Sequence, residues 1–259
     1  MSPTHDSAEV VRETGPTVAR RGAFVAVSAL LFVASAAGTI HWSRTMAGRM
    51  AMPGGWILSM VWMPMPGETW AGSGVRFVAM WLVMMVAMML PPLVPMLASF
   101  RRNRLAALSG VAYFSVWALV GALVYALGRG VARAGLEWPA VARLAPLATG
   151  AALLLAGAVQ VSAWKARQLA VCRACRAPAS GDAAATLLHG VRFGMNCGLC
   201  CLGLMTVLLV GGMMKVAVVA AVAVAVSLER LGPRPALSAR AIGAVMMAMG
   251  AVVVVRSCN

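Results

Sequence analysis

Met195-Asn-Cys197-Gly-Leu-Cys200-Cys201-Leu-Gly-Leu-Met205 stands at the head of an apolar run, Gly198 to Leu228, whose only charge is Lys215. That run is longer than the roughly 20 apolar residues that cross a hydrocarbon core. The same stretch packs three of the chain's six cysteines into five residues. Together these properties describe a thiol cluster at the mouth of a membrane-spanning helix.

The composition agrees. Of 259 residues, 61% are hydrophobic and 11% charged, and the mean hydropathy is +0.86. Soluble domains carry about 25% charged and about 45–50% apolar residues. Further uncharged runs follow the same pattern at Ala23 to Ile40, Leu105 to Leu127 and Leu144 to Trp164, while Val75 to Ala98 and Leu237 to Val255 each carry a single Arg. The expected fold class is all-α, a polytopic membrane helix bundle of six transmembrane helices, or seven if the Gly198–Leu228 run breaks at Gly211-Gly212. A single long or kinked helix is favoured, because each half alone falls short of spanning length. It would put Lys215 near the bilayer centre, a costly and often functional position.

The formal net charge is +15, from 22 Lys+Arg against 7 Asp+Glu. The arginines sit in short connections between apolar runs, where they anchor to anionic membrane lipid and set orientation. No basic stripe interleaves with aromatics, so nucleic acid is not an expected partner. The scarcity of Lys and Ile beside abundant Ala, Val, Gly and Arg has the look of a GC-rich bacterial gene, and the expected location is the bacterial cell (inner) membrane. Residues 1–21 are polar and expected to be a disordered cytoplasmic tail, with residues 22–259 forming one transmembrane domain. Arg20-Arg21 before the first apolar run reads as an uncleaved signal anchor or a cleavable signal sequence. Either leaves the N-terminus cytoplasmic. Residues 41–74 then form an external loop, Arg101-Arg102-Asn103-Arg104 marks the cytoplasmic side, and residues 165–196 form a cytoplasmic loop carrying Cys172 and Cys175.

Methionine is the residue that coding bias does not explain: there are 20. The external loop holds Met46, Met50, Met52, Met60, Met63 and Met65 among four tryptophans, which suit an interface; Trp56 to Met65 is expected to form a short interfacial helix. In the second span, Met80, Met84 and Met88 recur at i, i+4 and i+8 and so share one helix face. Trp81, Met85 and Met89 form the adjacent stripe. Pro91-Pro92 and Pro95 should bend or end that helix. Such a stripe reads as gap-filling core or as a row of thioether ligands, and both readings stay open.

Two Cys-x-x-Cys units, Cys172/Cys175 and Cys197/Cys200, have the spacing of thiolate metal sites. Thiolates with thioethers select soft ions, Cu(I) first and zinc as the alternative. If a helix starts near Cys197, then Cys197, Cys201 and Met205 stack on one face and draw a ligand ladder into the membrane. The candidate metal ligands are therefore Cys172, Cys175, Cys197, Cys200, Cys201, Met205, Met80, Met84 and Met88. A membrane thiol–disulfide oxidoreductase is the rival reading, since Cys-x-x-Cys also activates a thiol for exchange, although the cytoplasmic side is reducing. A structural zinc clamp is a third. His189 reads as a loop histidine, Glu229 as a helix-end charge, and Cys258 as a bystander. No phosphate-binding loop, paired carboxylates or zinc-hydrolase motif appears, so an enzyme is not expected.

The run Trp81-x-x-Met84-Met-x-Ala-Met88-Met-Leu-Pro91, followed by Lys165, Cys172, Cys175-Arg-x-Pro178 and Cys197-x-x-Cys200-Cys201-x-x-x-Met205, resembles one bacterial group. These are integral membrane proteins long catalogued as a domain of unknown function and as predicted metal-binding; one of them is encoded beside a tyrosinase and is thought to help supply its copper. The resemblance spans about Val75 to Glu229. It departs from the group's pattern at Leu202, where an aromatic is usual, and at Lys215, where an Asn is usual. It implies a membrane protein that binds a soft metal ion, Cu(I) foremost, and delivers it to a copper-dependent partner metalloenzyme or across the membrane.

Overall fold

A computed structural model describes residues 6–45, 49–51, 57–64, 67–178 and 181–258. Among them are eight α-helices: α1 (Asp6–Thr45), α2 (Trp70–Ala98), α3 (Asn103–Glu137), α4 (Pro139–Val161), α5 (Ala163–Ala174), α6 (Ala183–Gly211), α7 (Val216–Leu231) and α8 (Pro235–Cys258). The remaining regular structure is a three-residue antiparallel ladder, β1 (Arg49–Ala51) against β2 (Ile57–Ser59), and one 3-10 turn at Met60–Trp62. Six helices, α1 from Gly22 onward with α2, α3, α4, α6 and α8, are long and apolar enough to cross a membrane. The all-helical, six-span architecture expected from composition is the one observed.

Several boundaries move. Helix α1 starts at Asp6, inside the polar tail expected to be disordered; Ala8, Glu9, Arg12 and Glu13 are good helix formers. The 41–74 loop shrinks, because α1 keeps His41–Thr45 and α2 begins at Trp70, where the Thr69 hydroxyl accepts from the Gly72 amide at 3.1 Å. Of the interfacial helix expected over Trp56 to Met65, the described residues hold only the 3-10 turn; Met46, Met52, Trp56 and Met65 lie outside them. The three prolines do not end α2, which runs on to Ala98.

The run Gly198–Leu228 is not one helix. It breaks where Gly212 takes φ 99°, a left-handed conformation that favours glycine. Lys215 then sits exposed in the turn that caps α7, so no lysine is stranded at mid-helix. The largest correction concerns the cysteine loop expected at 165–196. Helix α6 begins at Ala183, capped by Asp182 through the Ala185 amide at 3.0 Å, and α5 occupies Ala163–Ala174. Only residues 175–182 remain as connection, and Cys197, Cys200 and Cys201 move from a mouth to the interior of a long helix.

Small residues set the packing. Helices α3 and α6 run parallel, since a Cβ on Gly190 would meet Ser109 and one on Gly194 would meet Tyr113 and Val116. Helix α2 runs antiparallel to α3, with the Trp81 ring lying on Gly121 and the Trp81 Nε1–H donating to the Trp117 carbonyl at 3.0 Å. Helices α4 and α8 form an antiparallel seam through Gly150 against Gly250 and Gly157 against Gly243. A Cβ on Gly157 would fall 2.8 Å from the Gly243 carbonyl oxygen and 2.6 Å from Met247 Cγ. Gly157→Val should therefore cost about 1–3 kcal/mol as overpacking. Thermal unfolding in detergent checks this, and an unchanged midpoint would mean that the seam is looser than drawn.

Candidate metal centre

The α4–α5 pair behaves as one interrupted helix. At Ser162 the backbone turns extended (ψ 155°), and its hydroxyl caps α5 by accepting from the Lys165 amide at 3.2 Å. Helix α5 then descends beside α6, presenting Lys165, Leu169 and Cys172 at i, i+4 and i+7 on its buried face. The facing stripe of α6 carries Cys197, Cys200, Cys201, Leu204, Met205 and Leu208, all buried.

Where these faces meet, the thiols form a row. Cys172 packs with Cys200 and Leu169 in one buried cluster, Cys201 is the next residue along α6, and Cys197 lies one helical turn from Cys201, both buried in the main apolar cluster. The Cys172 thiol also donates to the Asn196 carbonyl at 3.4 Å. At the inner end, Cys197 Sγ lies 2.9 Å from the Tyr113 hydroxyl and 3.9 Å from Met89 Sδ. Beyond the outer end, half-buried Cys175 sits with its Sγ 3.7 Å from His189 Nε2, and burial pushes the Cys175 thiol up from its ordinary pKa. All of these cysteines are free thiols.

Charge surrounds the row. Lys165 Nζ lies 2.6 Å from Glu229 Oε2, and it donates to the Cys200 carbonyl at 2.6 Å; both side chains are almost wholly buried. Gln160 Nε2–H donates to the other Glu229 oxygen. Arg173 donates to the carbonyls of Arg230 at 2.5 Å and Gly232 at 3.0 Å, capping the C-terminus of α7. Arg230 is buried against the ring of Phe193.

Of the residues picked out by sequence, Cys172, Cys197, Cys200 and Cys201 converge, and Met205 shares their buried face of α6. Cys175 stands apart with His189. Met80, Met84 and Met88 are buried in the same apolar cluster, but the sulfur contact to the thiols comes from Met89 on the adjacent stripe. Cys258 is exposed at the end of α8. Glu229 stands in the last turn of α7 as expected, but it is buried and not at an interface, and it pairs with Lys165 just past the end of α4. Met89, Tyr113, Lys165, Glu229 and Arg230 were missed as site residues. Their signals in the sequence were the place of Met89 in the second methionine stripe, Lys165 among the residues of the family resemblance, and Glu229-Arg230 at the very end of an apolar run.

Among the described residues, no three His, Cys, Asp or Glu side chains converge in the manner of a metal cage. The thiols meet in pairs. Such pairs suit a soft monovalent ion, which two or three sulfur ligands satisfy, better than zinc, which takes a tetrahedral four.

A sequence model of a family described as PpoB2, copper chaperone, matches residues 78–253, the segment that holds α3 to α7 and most of α2 and α8. No curated protein and no solved structure matches the chain.

Proposed function

The chain belongs to the PpoB2 copper chaperone family, and from that premise we propose that it is a multi-pass membrane carrier that takes Cu(I) onto buried thiolates and passes it to a copper-dependent client enzyme or across the membrane. It acts by ligand exchange and not as an enzyme. It lies in the bacterial inner membrane with its N-terminus in the cytoplasm, held by lipid around six apolar helices. The observation that carries this reading is the row of buried thiols, Cys172 packed on Cys200 and then Cys201 and Cys197 along α6, which ends on the thioether of Met89.

Copper here is cargo. Cys175 and His189 form the receiving pair: a metal bonded at about 2.3 Å to sulfur and about 2.0 Å to nitrogen spans atoms 3.7 Å apart at an angle of roughly 120°. From there each step exchanges one soft ligand for the next. Weak successive ligands suit transfer, because an ion caged by four thiolates leaves slowly. The buried thiols are shielded from water and oxidants, which protects both the ion and the sulfur.

Anaerobic purification followed by elemental analysis tests the proposal. The native protein should carry copper in stoichiometric amount, and a Cys197/Cys200/Cys201→Ser variant should carry almost none. Equal copper in the two would sink it.

A further inference from the structure

Arg230 is 7% exposed, and among the described residues its Nε and Nη2 hydrogens meet no acceptor. Its guanidinium lies within electrostatic reach of Cys197, Cys201, Cys172 and Tyr113 and 5.7 Å from the centre of the Phe193 ring. The other buried charges of the neighbourhood cancel each other, Lys165 against Glu229 at 2.6 Å. Arg173 lies on the exposed side and spends its donors on the backbone carbonyls of α7. One positive charge is thus left over, buried, with two idle donors. Such a group is costly unless an anion forms beside it. The groups within its reach that are or can become anionic are the Glu229 carboxylate, which Lys165 already neutralises, the thiols and the Tyr113 hydroxyl.

We propose that Arg230 tunes the centre for cargo of one charge type: a soft monovalent cation held by two thiolates as a complex of net charge −1, which the guanidinium neutralises. This rests on the copper-carrier reading and names what that carrier accepts. On binding, the cation M⁺ displaces two thiol protons to water and two metal–sulfur bonds form; no electron changes hands. The resulting M(SR)₂⁻ and Arg230 sum to zero in a low-dielectric interior. A divalent ion on the same pair of thiolates would give a neutral complex and leave the guanidinium uncompensated. It would need a third thiolate, and no three cysteines converge among the described residues. Arg230 is a positioning residue, since it acts on the complex and does not touch the metal as a ligand.

The opposite signs expected for the metal-free and loaded states make the test decisive. Full-length protein in detergent, kept anaerobic, is titrated with Cu(I) against a chromophoric Cu(I) chelator, and separately with Ag(I) and Zn(II), while metal-free thermal unfolding is recorded. Arg230→Gln should weaken Cu(I) and Ag(I) binding by about 10–100-fold, the range typical for loss of a group that supports the ligands. Its metal-free unfolding temperature should equal or exceed the native one, because an uncompensated buried charge is gone. Arg230→Lys should keep most of the affinity. Native affinity in Arg230→Gln overturns the inference alone and leaves the carrier standing. So does a fall in metal-free stability, or failure to fold, which would make Arg230 a packing element. Tighter Zn(II) than Cu(I) binding by the native protein also overturns it. A native protein that binds neither Cu(I) nor Ag(I) removes the carrier reading and this inference with it.

Discussion

Lys165→Met will destabilise the folded chain by about 3–5 kcal/mol, the cost of leaving one member of a buried ion pair without its partner. Lys165 and Glu229 are 1% and 2% exposed as side chains, so solvent screens neither. With the ammonium gone, the Glu229 carboxylate keeps only the Gln160 amide, and the Cys200 carbonyl loses its donor. Lys165→Met/Glu229→Gln should recover most of the loss, because replacing both members of a buried pair is close to neutral and the carboxamide oxygen introduced at position 229 can still accept from Gln160. Denaturant unfolding in micelles measures each member of the cycle. Equal stability of the native and Lys165→Met proteins would show that the pair is not buried as described. The double variant also separates structure from function. It regains stability but not the clamp on the Cys200 backbone, so its copper affinity should stay below native while its fold returns.

That clamp also marks where sequence reading stopped. The long apolar helices were legible because crossing a hydrocarbon core demands long, nearly uncharged runs, and the helices around Leu82, Val116 and Leu153 are long and apolar enough to do so. The break at Gly211-Gly212 was visible as glycine, but span length pointed to one helix; α7, at 16 residues, is shorter than a usual span and is settled by packing against α2, α6 and α8. The polar stretch after Trp164 read as a loop because Lys165, Arg167 and Cys172 are not apolar. It folds as a helix because Ser162 and Asp182 cap α5 and α6, and both caps were there to be read. The methionine stripes show a harder limit. Periodicity places Met80, Met84 and Met88 on one face and Met85 and Met89 on the next, but it does not say which face meets the thiols. That depends on the rotation of α2, and Trp81 seated on Gly121 of α3 contributes to it. Likewise nothing local ties Lys165 to Glu229, or Arg230 to Cys197. Those pairings join separate helices and exist only once the bundle is assembled.

Cys200→Ser should weaken Cu(I) binding more than any other single cysteine replacement, by at least about 100-fold, since loss of a mere supporting group already costs about 10–100-fold. Cys200 is the node of the row. It packs on Cys172 of α5 and precedes Cys201 on its own helix, and its carbonyl is the one held by Lys165. Serine nearly matches cysteine in volume, so the fold should survive, but a hydroxyl is a hard, protonated oxygen that a soft ion does not choose. The change leaves Cys172 without its packed thiol neighbour, while Cys197 and Cys201 remain buried one turn apart on α6 with Met89 beside Cys197. Weak residual binding at that inner pair is therefore expected, and adding Met89→Leu should reduce it further where Met84→Leu does not. Cys258→Ser should change nothing. Cys175→Ala should slow loading in stopped-flow measurements while leaving the equilibrium affinity close to native, because Cys175 belongs to the receiving pair and not to the row. Chelator competition on the purified variants decides among these. If Cys200→Ser binds copper like the native protein, the thiol contacts between α5 and α6 are ordinary core packing, and the ion, wherever it is held, is held elsewhere.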